Sequence, residues 1–301
     1  MTKRISPKVT LVFGVLSSST SSIFARYSSA PSLIISLYRL VWSVVLLFPT
    51  VLRGHLPEMR AVAKKDLAAC SVSGIFLALH FFLWFESLHY TTITSATVIV
   101  STEVIFAAIG FCIFLHGRIP PMAAVAIAIT FSGMILTSLG GNTGGSSLWG
   151  NLLCLGAAVM SSGYTLIGRT MRLKMSTTIY TFLVYLSCTV ALIVMCLATG
   201  TPMLGYAPKE FVISLFLCIF CTLMGHSIFS WALKFFTPAF VSASKLLGPV
   251  FAAILAFILF AEVPTFVEIL GCSVILGGVW MYCRVEQAEA ELDGTTVQPD
   301  V

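Results

Sequence analysis

Ten runs of apolar residues, each about as long as a bilayer is thick, follow one another along the chain with short polar breaks between them. About 20 residues at 1.5 Å of rise per residue cross the hydrocarbon. The pattern therefore predicts helices at about 8–26, 31–52, 66–87, 91–115, 121–139, 148–169, 177–199, 210–233, 238–261 and 264–283. The segment after Arg284, with Glu286, Glu289, Glu291, Asp293 and Asp300, reads as a solvated, disordered acidic tail over 285–301.

Composition agrees. Hydrophobic residues make up 58% of the 301 and charged ones 10%, with a mean hydropathy of +1.00, against about 25% charged in a soluble domain. This is an integral membrane protein with no room for a sizeable extramembrane domain. The formal charge of +5 sits in short loops, where Lys and Arg set topology, so no nucleic-acid partner is implied. Placing the N-terminus inside puts Lys3, Arg4, Lys8, Arg53, Arg60, Lys64, Lys65, Arg118, Arg169, Arg172, Lys174, Lys234 and Arg284 on the cytoplasmic face, and only Arg26 and Lys209 opposite. Ten spans with both termini cytoplasmic follow. The nine cysteines fall within or at the ends of apolar runs and read as small hydrophobes. That reading includes the C-x-x-C of Cys218 and Cys221.

The chain also repeats itself. Adding 145 to the first-half numbering lays Leu88 on Leu233, Thr92 on Thr237, Phe106 on Phe251, Ala107 and Ala108 on Ala252 and Ala253, Ile113 on Ile258 and Gly133 on Gly278. A shift of 143 lays Ser19 on Ser162 and Arg26 on Arg169, which keeps MTKRISPKVTLVFGVL as a span despite its resemblance to a signal peptide. Units of five helices, an odd number, must face opposite ways. The expected architecture is an all-α integral membrane fold of ten transmembrane helices, two inverted five-helix repeats over 1–140 and 141–284, around a central cavity near the midplane.

Charged groups inside spans are costly and mark function by default. Glu103 lies mid-span in the fourth helix, and Thr97, Val100 and Glu103 share a face whose images are Ser242, Lys245 and Gly248 of the ninth. Glu103 and Lys245 then approach one cavity from opposite helices. They either serve a solute and a coupling proton or neutralise each other as a buried pair. His80 and His226 occupy nearly corresponding positions of the third and eighth helices and, with Trp84 and Tyr164, are candidate cavity-wall residues. Phe229 and Trp231 are further aromatic candidates. Arg39 reads as a snorkelling side chain, or one paired with a carbonyl, in a peripheral helix. Gly248-Pro249 predicts a kink in the ninth helix, a candidate hinge. The serine run Ser17 to Ser22 reads mainly as close helix packing, with solute hydrogen bonds at the cavity wall as the alternative, and Glu86 and Glu262 as solvated end groups. No cluster of His, Cys and carboxylate at helical spacing points to a metal, and no cofactor is implied.

The paired segments SLHYTTITSATVIVSTEVIFAAIGFCIFLHGRIP and ALKFFTPAFVSASKLLGPVFAAILAFILFAEVP, each followed by a span with a late glycine, resemble the EamA family of the drug/metabolite transporter superfamily. The second copy carries Gly248-Pro249-Val250-Phe251 and Glu262; the first has Val104 and Gly117 where the proline and the acid fall. The resemblance implies ten helices, a central cavity, and export or exchange of small organic solutes across a plasma membrane, amino acids and drugs among them. The expected protein is a secondary transporter and not an enzyme, and a single chain suffices for a pathway. A multidrug or cationic-compound exporter of the same fold is the alternative. A membrane enzyme is a weaker one, without an aspartate-rich cluster or a G-x-S-x-G, and there is no P-loop for ATP.

Overall fold

The computed structural model describes residues 6–90, 96, 99–140, 148–248, 250–251, 254–255, 258 and 265–292. All regular structure among them is helical. The first span is broken, α1 (Pro7–Ser19) giving way at Thr20 to α2 (Ser21–Tyr27). The Ser18, Ser19 and Thr20 hydroxyls donate back to the carbonyls of Val15 and Ser17, which offers the backbone an alternative to continuing the helix. Next come α3 (Ser32–Thr50), a π turn over Val51–His55, α4 (Leu56–Ala61) and α5 (Lys64–Ser87).

The fourth segment is not the continuous helix expected over 91–115. Residues 91–95 lie outside the described ones, Ser101 and Thr102 form a tight turn, and a new helix, α6 (Glu103–Phe114), starts there. Thr102 causes much of this: its hydroxyl donates to the Ile99 carbonyl at 2.6 Å, and the following amides bond three residues back. After α7 (Pro121–Gly140), α8 (Leu148–Arg172) and α9 (Thr177–Thr199), the eighth span also departs from expectation. It winds as α10 (Pro208–Phe216), a π segment over Leu217–His226, and α11 (Ser227–Ala232). Thr222 donates to Leu217 O and Ser227 to Thr222 O, both five residues back, the spacing of π winding.

The ninth segment, α12 (Pro238–Ser244), tightens into a 3-10 turn at Lys245–Leu247. The irregularity therefore lies one residue before Gly248, and Pro249 lies outside the described residues. The last helix, α13, runs Phe266–Leu292. It overruns the expected disordered tail by eight residues because the run Glu286 to Leu292 is rich in strong helix formers. Residues 293–301 are outside the described ones.

Among the described residues, six helices are long and apolar enough to cross a membrane: Pro7–Ala25, Ser32–Ala61, Lys64–Ser87, Leu148–Arg172, Thr177–Thr199 and Pro208–Ala232. Shorter apolar helices are Glu103–Phe114, Pro121–Gly133 and Ile269–Tyr282. Large apolar side chains such as Phe114, Leu148, Leu197 and Phe266 stand more than 60% exposed. Such exposure suits lipid and not water.

Among the described residues two large apolar cores form, with a small third around Val51, Ile179 and Phe182. One joins α3, α5, α9 and the π segment over Leu217–His226 through Leu37, Leu77, Phe81, Tyr185, Leu192 and Leu217. The other joins α1, α7, α12 and α13 through Leu11, Ala126, Phe240, Leu246 and Ile275. α7 and α13 touch through two reciprocal glycines. A Cβ on Gly133 would sit 2.8 Å from Gly271 O and from Ile275 N, and one on Gly278 would sit 2.8 Å from Thr130 N and 3.1 Å from Ala126 O. Ala126 and Thr130, moved by 145, are Gly271 and Ile275, so each helix presents the other with its own image.

Candidate functional site

Between the two large cores lies a cavity of about 180 Å³. Its wall takes Ser18, Ser19 and Ser21 from the broken first span, Arg39 from α3, and His80, Phe81 and Trp84 from α5. The rest comes from Val100, Ser101 and Glu103, Ser161 of α8, Cys221 and His226 of the π segment, Phe229, and Ser242, Lys245, Leu246 and Gly248. The irregular winding of four segments thus falls at the cavity. There it turns side chains and frees backbone groups that a regular helix would occupy.

Glu103 is the hub. As the first residue of α6 it sits at the positive end of that helix. Lys245 Nζ donates to its Oε1 at 2.6 Å, Ser242 Oγ at 2.9 Å and Thr165 Oγ1 at 3.3 Å, while Ser161 Oγ donates to Oε2 at 2.7 Å. Four donors match the roughly four acceptor positions of a carboxylate. The donors come from α8 and from the ninth segment, so one side chain ties three elements together. Lys245 also stands 5.2 Å from the centre of the Phe229 ring.

Arg39, a charged residue within a span that sequence assigned to snorkelling or a carbonyl contact, is where the structure corrects the expectation. It does not snorkel: it is 2% exposed, its Nε donates to Thr222 Oγ1 at 2.5 Å, and its guanidinium lies 4.2 Å from the centre of the Phe81 ring. Its Nη2 is buried without a hydrogen-bond partner among the described residues. No acid there pairs with it. A cation–π contact contributes about 0.5–2 kcal/mol, whereas an unpaired buried ion costs several. The signal in the sequence was an Arg inside a span with no acid at helical spacing.

The imidazoles adjoin the same aromatic group. His80 Nδ1 is 2.9 Å from the Ala157 carbonyl, which can only accept, so Nδ1 donates. His226 stands edge-on to Phe81 at 5.1 Å between centres, and its Nδ1 is buried without a partner among the described residues. Of the residues singled out from sequence, Glu103, Lys245, His80, Trp84, His226, Ser242 and Gly248 line the cavity. Tyr164 lies behind it, its hydroxyl 2.7 Å from Ser230 Oγ and its ring 6.1 Å from His226. Trp231 packs instead against Phe235 at 4.7 Å. Thr97 and Pro249 fall outside the described residues. Cys218 and Cys221 point to different partners, Ser43 and Thr20.

The EamA-like transporter family matches this chain twice, over residues 7–139 and again over 148–284. The chain belongs to the EamA-like transporter family. An uncharacterized transporter of Archaeoglobus fulgidus is a relative of this EamA-like chain. The two are 26% identical over 219 residues, which cover 71% of this chain and 74% of the archaeal protein. One solved crystal structure shares the fold, with a TM-score of 0.74 and 15% identity, covering 94% of this chain and 98% of that one. The protein is accordingly a multi-pass membrane transporter of the EamA-like family, and small solutes and the bilayer are its partners.

Proposed function

We propose that this EamA-like protein is a secondary transporter of the plasma membrane. It exports or exchanges small organic metabolites, of the size of amino acids and their relatives, by alternating access. The moving parts are two inverted five-helix units, 1–140 and 141–284, and both termini are cytoplasmic, as the loop charges favour. The double family match supports two units. So do the mirrored contacts of Gly133 and Gly278 and the irregular turns at 101–102 and 245–247, which correspond under the shift of 145. Interrupted segments at matching positions of two halves mark the solute site in repeat-built transporters.

The observation that carries the reading is the Glu103 hub on the cavity wall. One carboxylate from the first unit gathers four donors from the second, so its charge state bears on the junction that must rearrange. Protonation would release Lys245 and weaken the three hydroxyl contacts together, which couples a proton to the transition. A cavity of about 180 Å³ is smaller than the roughly 300–1,000 Å³ that takes drug-sized ligands. That favours a metabolite over a bulky cationic drug, and the acid that would attract a cation already holds Lys245. The test is exchange of labelled small solutes by reconstituted protein with and without a pH gradient. Glu103→Gln should abolish the response to the gradient; unchanged uptake with unchanged pH dependence would remove Glu103 from coupling.

A further inference from the structure

The charges on the cavity wall do not balance. Glu103 and Lys245 cancel each other at 2.6 Å. Arg39 is left as a cation that no acid among the described residues compensates. Two buried nitrogens without partners among the described residues, Arg39 Nη2 and His226 Nδ1, adjoin the same ring: Phe81 carries the guanidinium at 4.2 Å and the imidazole at 5.1 Å. Arg39 is held by Thr222 at Nε, which leaves its fork to a planar two-oxygen acceptor. An orphaned donor on a fixed cation in a largely apolar cavity wall is what a bound carboxylate would satisfy.

We infer that Arg39 is the anchor of a carboxylate subsite and that the solute enters as a small monocarboxylate without an ammonium group. This rests on the transporter reading only for the solute being carried. A single uncompensated positive charge suits a monoanion; a phosphate dianion would bring a surplus negative charge. A zwitterion would bring an ammonium to a cavity whose lining acid is already engaged by Lys245 and three hydroxyls. Phe81, Trp84 and Phe229 offer the apolar surface for a short carbon chain.

Three solutes on one carbon frame separate the possibilities: 2-hydroxybutyrate as the anion, 2-aminobutyrate as the zwitterion and 2-amino-1-butanol as the cation. Calorimetric titration of the purified full chain in detergent should rank the anion tightest and the cation weakest. Arg39→Gln should weaken 2-hydroxybutyrate by about 10- to 100-fold, the loss expected for a hydrogen bond to a charged group. Arg39→Lys, which keeps the charge but not the fork, should preserve the order at intermediate affinity. Tightest binding by either amine, an unaltered anion affinity in Arg39→Gln, or no binding of any of the three at millimolar concentration would overturn the subsite. The wild-type ranking alone decides if the variants fail to fold. Should the anion bind through Arg39 yet not exchange across proteoliposomes, the alternating-access reading falls while the subsite stands. Exchange of an amine with no anion binding gives the reverse.

Discussion

Removing one member of the Glu103 and Lys245 pair should destabilise the protein more than removing both. Glu103 is 9% and Lys245 20% exposed at the side chain, and they meet at 2.6 Å. Breaking a buried pair costs about 3–5 kcal/mol because the survivor keeps its charge without its partner. Lys245 retains some access to the cavity, so the lower end, about 3 kcal/mol, applies to Glu103→Gln. At about 2 °C per kcal/mol for a chain of this size, its Tm should fall by about 6 °C. The double variant Glu103→Gln/Lys245→Met carries no orphaned charge and should recover most of that loss. The resulting coupling is about 2 kcal/mol, well beyond what independent sites show. Thermal unfolding in detergent followed with a thiol-reactive dye suits the protein, since six of the eight described cysteines are buried. A fall of less than about 2 °C in the single variant, or losses that simply add in the double, would refute the hub as a stabilising ion pair.

Two further outcomes follow from particular contacts. Gly278→Ala sets a Cβ 2.8 Å from the Thr130 backbone nitrogen, so α7 and α13 must separate. The expected loss is about 1–3 kcal/mol in the same melting assay, whereas Gly277→Ala, with open space around it, should change little. On the face that the proposed topology puts outside, Glu210 accepts from Ser28 Oγ at 2.5 Å and from Ser29 N and Oγ at 3.1 and 2.9 Å, fastening the α2–α3 connection to α10. Glu210→Gln should loosen that fastening and raise labelling of a cavity cysteine from the outer side by several-fold, with labelling from the inner side unchanged or reduced.

Much of the fold was legible in the chain because spans are set by length and hydropathy, and both are linear properties. Glu103 and Lys245 were legible because an ion in a span is conspicuous and the repeat shows which faces correspond. What escaped was winding. A π segment and an α-helix share one apolar composition, and only the spacing of Thr222 and Ser227, five apart, hinted at the difference. The break at Ser101-Thr102 escaped for a similar reason: two hydroxyls in an apolar run look like packing until one bonds its own turn. Arg39 was misread because snorkelling depends on which face of a helix meets lipid, and that is fixed by neighbours distant in sequence such as Thr222 and Phe81.

The most direct test of the account is whether the cavity opens to both sides of the membrane in turn. Ser18→Cys in a background without native cysteines places a thiol on the wall. A membrane-impermeant thiol reagent can then be applied from either face of oriented vesicles. Alternating access predicts labelling from both faces, with a bound solute slowing both. Labelling from one face only, under every solute and pH condition, would contradict it.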